Sequence, residues 1–118
     1  MNAEPENAKG DLKISHEVIA QFAGLEARGC FGIVGIGTLS PRDGFAKVLK
    51  NDKLSKGVIV SEKNGALTID FHVIVAYYVS IRTVAENLMS TVIYRVENFT
   101  GMKVDKVNVY VEGVRYID

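Results

Sequence analysis

The sequence predicts an α+β fold, a two-layer sandwich in which a small mixed β-sheet with an antiparallel hairpin packs against two to three helices. Two segments carry apolar residues at helical spacing, two alternating segments flank an Asn-Gly turn signal, and one more alternating strand follows the longer helix. The strand, long helix and second strand are compatible with a right-handed parallel crossover, whereas the hairpin is antiparallel. The sheet is therefore expected to be mixed.

Length and composition indicate one packed domain. The chain has 118 residues, of which 47% are hydrophobic and 24% are charged, as in an ordinary globular domain. Fourteen Lys and Arg residues balance fourteen Asp and Glu residues, so no net charge attracts nucleic acid or an anionic membrane. We expect residues 1–11 to be a flexible tail and residues 12–118 to form the domain.

The N-terminal half begins with a helix. Ser15 is a suitable N-cap, and Gly29 is suited to end the helix. Residues 30–38 combine β-branched residues with glycine, which indicates a short strand or an extended passage before a loop at residues 40–44. A short helix that ends near Gly57 is predicted next. Its apolar side would contain Phe45, Val48, Leu49 and Leu54.

The hairpin is the clearest local signal. Strands at residues 58–61 and 67–79 flank Asn64 and Gly65, both of which tolerate positive φ. The odd positions of the second strand form an apolar face that we assign to the core. They are Leu67, Ile69, Phe71, Val73, Val75, Tyr77 and Val79. The even positions begin polar and become apolar, so the far end of the strand is expected to be covered on both sides. These apolar even positions are Ile74, Ala76 and Tyr78.

A helix is predicted from about residue 81 to residue 99, with Ser80 as its cap and Gly101 at its end. Its main apolar stripe contains Ile81, Val84, Ala85, Leu88, Val92, Val96 and Phe99. Met89 and Ile93 widen this stripe beyond what one small sheet needs, which indicates a second contact surface. The last strand alternates through Val107, Val109 and Val111.

No residue pattern indicates catalysis, a cofactor or a metal ion. Asp70 and His72 share a strand face, but two ligands do not make a site, so a solvated polar face is expected. Cys30 follows a helix exit and is interpreted as a buried small hydrophobe. The glycines of residues 29–37 match neither a dinucleotide-binding fingerprint nor a P-loop.

One basic cluster gives an alternative hypothesis. It consists of Lys47, Lys50, Lys53 and Lys56. An anionic partner or an RNA backbone could use these side chains, although their spacing spreads them around a helix and no aromatic pair flanks them. A solvated face is the preferred interpretation, and nucleic acid is not favoured as a partner.

The sequence also indicates a cytoplasmic protein that does not insert into a membrane. Cys30 is the one cysteine, so no intramolecular disulfide can form, and the N-terminus carries no basic or apolar part of a secretion signal. The longest stretches without charged side chains are well short of the ~20 apolar residues that a membrane-spanning helix needs.

Three segments together resemble a known family. The segment at residues 69–85 has the pattern Ile-Asp-Phe-His-Val-Ile-Val-Ala-Tyr running into Ile-x-x-Val-Ala. The segment at residues 100–114 reads Thr-Gly followed by Val-Asn-Val-Tyr-Val-Glu-Gly-Val, and residues 14–23 fit as well. Over residues 12–114 the chain resembles the alkaline shock protein family, also called the general-stress envelope family, of mainly Gram-positive bacteria.

This resemblance implies a small non-catalytic cytoplasmic α+β protein linked to cell-envelope homeostasis and stress response. Some members self-assemble and are held beneath the membrane by an anchored partner protein. The branch with the Gly-Ile-Val-Gly stretch at residues 32–35 is typically encoded beside a kinase-like protein. A homo-oligomer, a membrane-anchored partner and a kinase-like neighbour are therefore the expected partners.

The function predicted from these observations is protein interaction. The predicted surface combines the flank of the long helix, at Met89 and Ile93, with Tyr78 or Tyr110. Apolar area in excess of what the sheet can cover is typical of an interface.

Overall fold

The computed structural model describes residues 12–39 and 46–116, and its architecture confirms the predicted α+β class. In chain order its elements are α1 (His16–Arg28), β1 (Ile33–Leu39), β2 (Ala46–Val48), a 3₁₀ helix (Asn51–Lys56), β3 (Val58–Lys63), β4 (Ala66–Ala76), α2 (Ile81–Thr100) and β5 (Lys103–Arg115). The strands form one mixed five-stranded sheet. The predicted tail at residues 1–11 lies outside the described residues.

The predicted helix caps are present. The Ser15 hydroxyl accepts a hydrogen bond from the Val18 amide at 3.2 Å, and the Ser80 hydroxyl accepts one from the Thr83 amide at 3.3 Å. Each bond satisfies an amide that has no partner within its helix. α2 ends at Gly101, as the sequence predicts.

The hairpin is also confirmed. Asn64 and Gly65 have φ values of 54° and 79°, as a tight turn between two twisted strands requires. β3 and β4 pair in register from Lys63 opposite Ala66 to Val58 opposite Phe71. The hairpin therefore fixes which face of β4 enters the core.

β4 is the central strand of the sheet. β5 runs parallel to it from Ala66 to Ala76 and so occupies one whole edge. The other edge is shared, because β3 pairs with the first half of β4 and β1 pairs antiparallel with the second half. α2 connects β4 to β5, which is the crossover that the sequence predicts.

The core lies between one sheet face and the two α-helices. Alternate β4 residues from Leu67 to Val75 are at most 1% exposed. α2 meets them with a buried stripe that consists of Val84, Leu88, Val92 and Val96. Ile81 and Phe99, the ends of the predicted stripe, are 46% and 42% exposed, so the buried stripe is shorter than predicted.

The segment before the hairpin differs from the prediction. Residues predicted as a short helix form strand β2 and then the 3₁₀ helix, of which Leu54 is the fully buried residue. β2 pairs antiparallel with β1, and the Leu49 amide donates to the Ile36 carbonyl at 2.8 Å. Pairing with a neighbouring strand has overridden the local helical spacing. Phe45 and the predicted loop at 40–44 lie outside the described residues.

The far end of β4 is covered on both faces only as far as Ala76. Ile74 and Ala76 are buried, as predicted. Tyr77 and Tyr78, which the alternating pattern placed in covered positions, are 67% and 66% exposed. The reason is that β4 ends at Ala76 and the chain turns towards α2, so the strand alternation no longer applies.

Candidate interaction surface

Exposed apolar side chains collect where three neighbouring strands meet the start of α2. We call this surface the aromatic end and define it by six residues, namely Phe31, Tyr77, Tyr78, Ile81, Val114 and Tyr116. Their exposed fractions run from 46% to 76%. Large apolar residues that stay exposed on neighbouring segments are candidates for a site of interaction.

The backbone brings the segments of the aromatic end together. The Ala76 amide donates to the Gly32 carbonyl at 2.9 Å, which places the turn carrying Phe31 beside the end of β4. On the other edge, the Tyr77 amide donates to the Arg115 carbonyl at 2.7 Å. The end of β5 is thereby held against the turn that follows β4.

A contact between two aromatic rings also joins the end of β4 to the end of β5 at the surface. The Tyr77 and Tyr116 rings lie edge to face with centroids 5.9 Å apart. Such pairs contribute about 0.5–1.5 kcal/mol beyond the area that they bury, so the two rings hold each other in place while much of each stays exposed. A preorganised aromatic pair binds a partner with less loss of side-chain entropy than two free rings.

Met89 and Ile93, predicted as an interaction surface, lie on α2. Both are half-buried and pack against the core, so much of the surplus apolar arc faces the protein's own interior. α1 lies beside α2 there. Phe22 and Phe99 stack with centroids 4.1 Å apart, and Arg95 lies 3.4 Å from the carboxylate of Glu26.

Tyr110 lies elsewhere, halfway along β5 on the sheet face away from the helices. It is 48% exposed and stacks on His72 with a centroid distance of 5.1 Å. The structure therefore does not bring Met89, Ile93, Tyr78 and Tyr110 together. Of the four, Tyr78 belongs to the aromatic end.

Asp70 and His72 do share a face, and β5 supplies a polar partner for each. His72 Nδ1 lies 2.6 Å from Glu112 Oε2, and the Asn108 amide donates to Asp70 Oδ1 at 2.8 Å. No group of three or more His, Cys, Asp or Glu side chains among the described residues is arranged to hold a metal ion. The contacts of His72 with Glu112 and of Asp70 with Asn108 join neighbouring strands and so help β4 and β5 to pair.

Cys30 is a half-buried thiol that packs against the core. Burial raises the pKa of this thiol; a hydrogen bond with Thr91 acts in the opposite direction, and the carboxylate of Glu26 adds to the rise. The thiolate, which is the nucleophilic form, is therefore disfavoured.

The lysines of the alternative hypothesis do not share a helix. Lys47 belongs to β2, Lys50 is the N-cap of the 3₁₀ helix, and Lys53 and Lys56 lie within that helix. The last three are exposed. Their use by an anionic partner stays a prediction.

Five residues of the aromatic end were absent from the predicted interaction surface, namely Phe31, Tyr77, Ile81, Val114 and Tyr116. Their position next to the ends of strands, and not the spacing of apolar residues, was the sequence feature that could have identified them. Phe31 lies just before a strand and Tyr116 just after one. Aromatic residues directly outside strand ends are candidates for exposure, because the covered part of the sheet has ended there.

No helix within residues 12–39 and 46–116 is sufficiently long and apolar to cross a membrane.

Comparison with known proteins gives a family and several relatives. The model of the alkaline shock protein 23 family, described as having a cell envelope-related function, matches residues 4–116. The chain is 40% identical to the uncharacterized protein YloU of Bacillus subtilis, covering 98% of this chain and 97% of the relative. It is 31% identical to the uncharacterized protein Spy1614 of Streptococcus pyogenes, covering 92% and 90%, respectively. No solved structure matches the chain.

Proposed function

Because the chain belongs to the alkaline shock protein 23 family, whose function is related to the cell envelope, we propose that it is a non-catalytic interaction protein. In this proposal it binds other polypeptides through the aromatic end. The observation that carries this proposal is the gathering of six exposed large apolar residues at one end of the sheet. In this proposal the protein works in the cytoplasm, close to the membrane through a partner.

The chemistry of the aromatic end supports protein binding. Four of its six residues are aromatic, and tyrosine combines a large apolar ring with a hydroxyl that can stay hydrated. Such side chains are enriched among the residues that dominate protein interfaces. A formal net charge of zero gives little long-range attraction, so burial of apolar area would supply most of the binding free energy.

The polar groups support a non-catalytic role. Asp70 and His72 are each engaged by a side chain of β5, and the raised pKa of Cys30 disfavours its nucleophilic form. The partner classes that the family resemblance implies are a second copy, a membrane-anchored protein and a kinase-like protein.

Two matched substitutions test this proposal in cells. Tyr78 and Tyr94 are 66% and 67% exposed, but Tyr78 lies in the aromatic end and Tyr94 lies on α2. Strains that carry Tyr78→Lys or Tyr94→Lys at the native locus would be compared with a deletion strain under envelope stress. We expect Tyr78→Lys to behave like the deletion and Tyr94→Lys like the wild type.

Thermal unfolding and cellular abundance of both variants are the necessary controls, because surface substitutions usually change stability by at most about 0.5 kcal/mol. Equal stress resistance of the two strains, with a measurable defect in the deletion strain, would contradict the proposal.

A further inference from the structure

β5 has a long outer edge. It contains 13 residues, and within the part of the chain that the structure describes its one strand partner is β4. Backbone amides and carbonyls of alternate residues in an edge strand point away from the sheet. Such an edge can accept another strand.

The middle of this edge lacks the usual protection. Register shifts interrupt the pairing with β4 near Asp105 and near Glu112, so residues 106–111 form the regular part of β5. Bulges and charged side chains normally discourage contact between sheet edges. Residues 107–111 carry no charged side chain and read Val-Asn-Val-Tyr-Val, a sequence with high β-propensity.

Lys106 and Glu112 flank the uncharged residues 107–111 and carry opposite charges. Lys106 is level with Thr68, and Glu112 contacts His72, so both side chains lie on the sheet face away from the helices. They are six residues apart, or about 20 Å along the strand, too far to pair within one chain. In an antiparallel pair of β5 strands centred on Val109, each Lys106 lies beside Glu112 of the other copy.

We propose that a second copy of this chain pairs with β5 edge to edge, antiparallel and with Val109 opposite Val109. A parallel arrangement in the same register would instead place like charges level with each other. The inference deepens the self-association part of the proposed function and rests on it, but it uses a surface separate from the aromatic end. The two sheets become continuous, with the helices of both copies on the same side.

This arrangement has a consequence for partner binding. The aromatic end lies at the C-terminal end of β5, where the Tyr77 amide bonds to Arg115. Antiparallel pairing therefore places the two aromatic ends at opposite ends of the dimer. Both stay available, and a dimer with two binding surfaces binds a clustered partner more tightly than one protomer does.

Disulfide trapping tests the register. Val109 and Val60 are both half-buried valines that pack against the core from strands on opposite edges of β4. Each would be changed to Cys in the full chain with Cys30→Ser. Opposed residues of antiparallel strands have Cα atoms about 4.5–5.5 Å apart, which suits a disulfide. We expect Val109→Cys to form a covalent dimer under mild oxidation and Val60→Cys to stay monomeric.

Charge exchange tests the pairing independently. Lys106→Glu and Glu112→Lys should each weaken dimerisation roughly ten-fold, as measured by sedimentation, because each creates two like-charge pairs. The double variant Lys106→Glu with Glu112→Lys should recover most of the affinity. Recovery of the dimer affinity cannot arise within one chain, because residues 106 and 112 are too far apart there to pair. Thermal unfolding of each variant shows whether the loss of the contact between Glu112 and His72 affects folding.

The outcomes separate this inference from the proposed function. A Val109→Cys variant that stays monomeric, or a wild-type protein that sediments as a monomer at all concentrations, overturns the β5 pairing. Loss of stress resistance in Tyr78→Lys would still support the aromatic end in that case. Conversely, a covalent dimer of the Val109→Cys variant together with full resistance in Tyr78→Lys would support the pairing and contradict the aromatic end as the partner surface.

Discussion

Two regions of β4 and its extension carry the same kinds of side chain and have opposite exposure. Phe71 lies on the helix-covered face and is 0% exposed, whereas Tyr77, six residues later at the same strand parity, is 67% exposed. α1 and α2 cover the first region, and β4 ends before the second. An apolar alternation therefore identifies strand surface that needs cover, but the extent of the covering helices decides whether the protein itself supplies that cover.

The largest expected difference between the regions is in stability. Phe71→Ala removes a fully buried ring and should lower the free energy of unfolding by about 3–5 kcal/mol through lost burial and a cavity. Tyr78→Ala should change it by at most about 0.5 kcal/mol. Urea unfolding of both variants measures the contrast, and comparable losses would mean that the aromatic end is part of the folded core.

The second prediction concerns the support of the aromatic end. Gly32 and Gly65 both have positive φ, at 83° and 79°, but a Cβ at Gly32 would lie 2.4 Å from a Val84 methyl group, while Gly65 faces open space. Gly32→Ala should therefore lower the free energy of unfolding by about 1–3 kcal/mol more than Gly65→Ala does. The difference measures the steric clash of the added methyl group with α2. Chemical denaturation measures both. Equal costs would show that α2 does not hold this turn tightly.

A smaller effect tests how firmly α1 and α2 are joined where they cover the sheet. The stacked rings of Phe22 and Phe99 should show a coupling free energy of about 0.5–1.5 kcal/mol in a double-mutant cycle with leucine substitutions. Unfolding of the two single variants and the double variant supplies the cycle. A coupling indistinguishable from zero would mean that the rings contribute only through their separate burial.

The smallest predicted effect is pH dependence at Cys30. Because burial raises the pKa of this thiol, the folded state keeps its proton to a higher pH than the unfolded chain does. Its contribution to stability is therefore complete below the unfolded thiol's pKa and decreases as pH rises above it. Urea unfolding at neutral and alkaline pH should show a larger decrease for the wild type than for Cys30→Ser. An equal decrease would contradict this account of the thiol.

Local signals in the sequence predicted most of the fold. Ser15 and Ser80 cap their helices through short-range hydrogen bonds, and the turn at Asn64 depends on the conformational preference of two residues. β2 was predicted wrongly as helix, because its conformation depends on pairing with a strand some ten residues earlier. Pairing with another strand leaves little trace in the spacing of apolar residues.

The candidate site was less predictable than the fold. Tyr78 was predicted as an interaction residue and lies in the aromatic end, but Met89 and Ile93 pack against the core. Their spacing on α2 shows an apolar flank without showing that the domain's own interior occupies it. Phe31 and Tyr116 are far apart in sequence, and only the meeting of β1, β4 and β5 at one end brings their segments together.

Site-specific photo-cross-linking in cells tests the central claim most directly. A photoreactive phenylalanine analogue placed at Tyr78 should give a discrete covalent adduct with another polypeptide, and the same analogue at the equally exposed Tyr94 should give none. Mass spectrometry of the adduct would distinguish a second copy from a different protein. No adduct at Tyr78, or the same set of adducts at both positions, would contradict the assignment of the aromatic end as the binding surface.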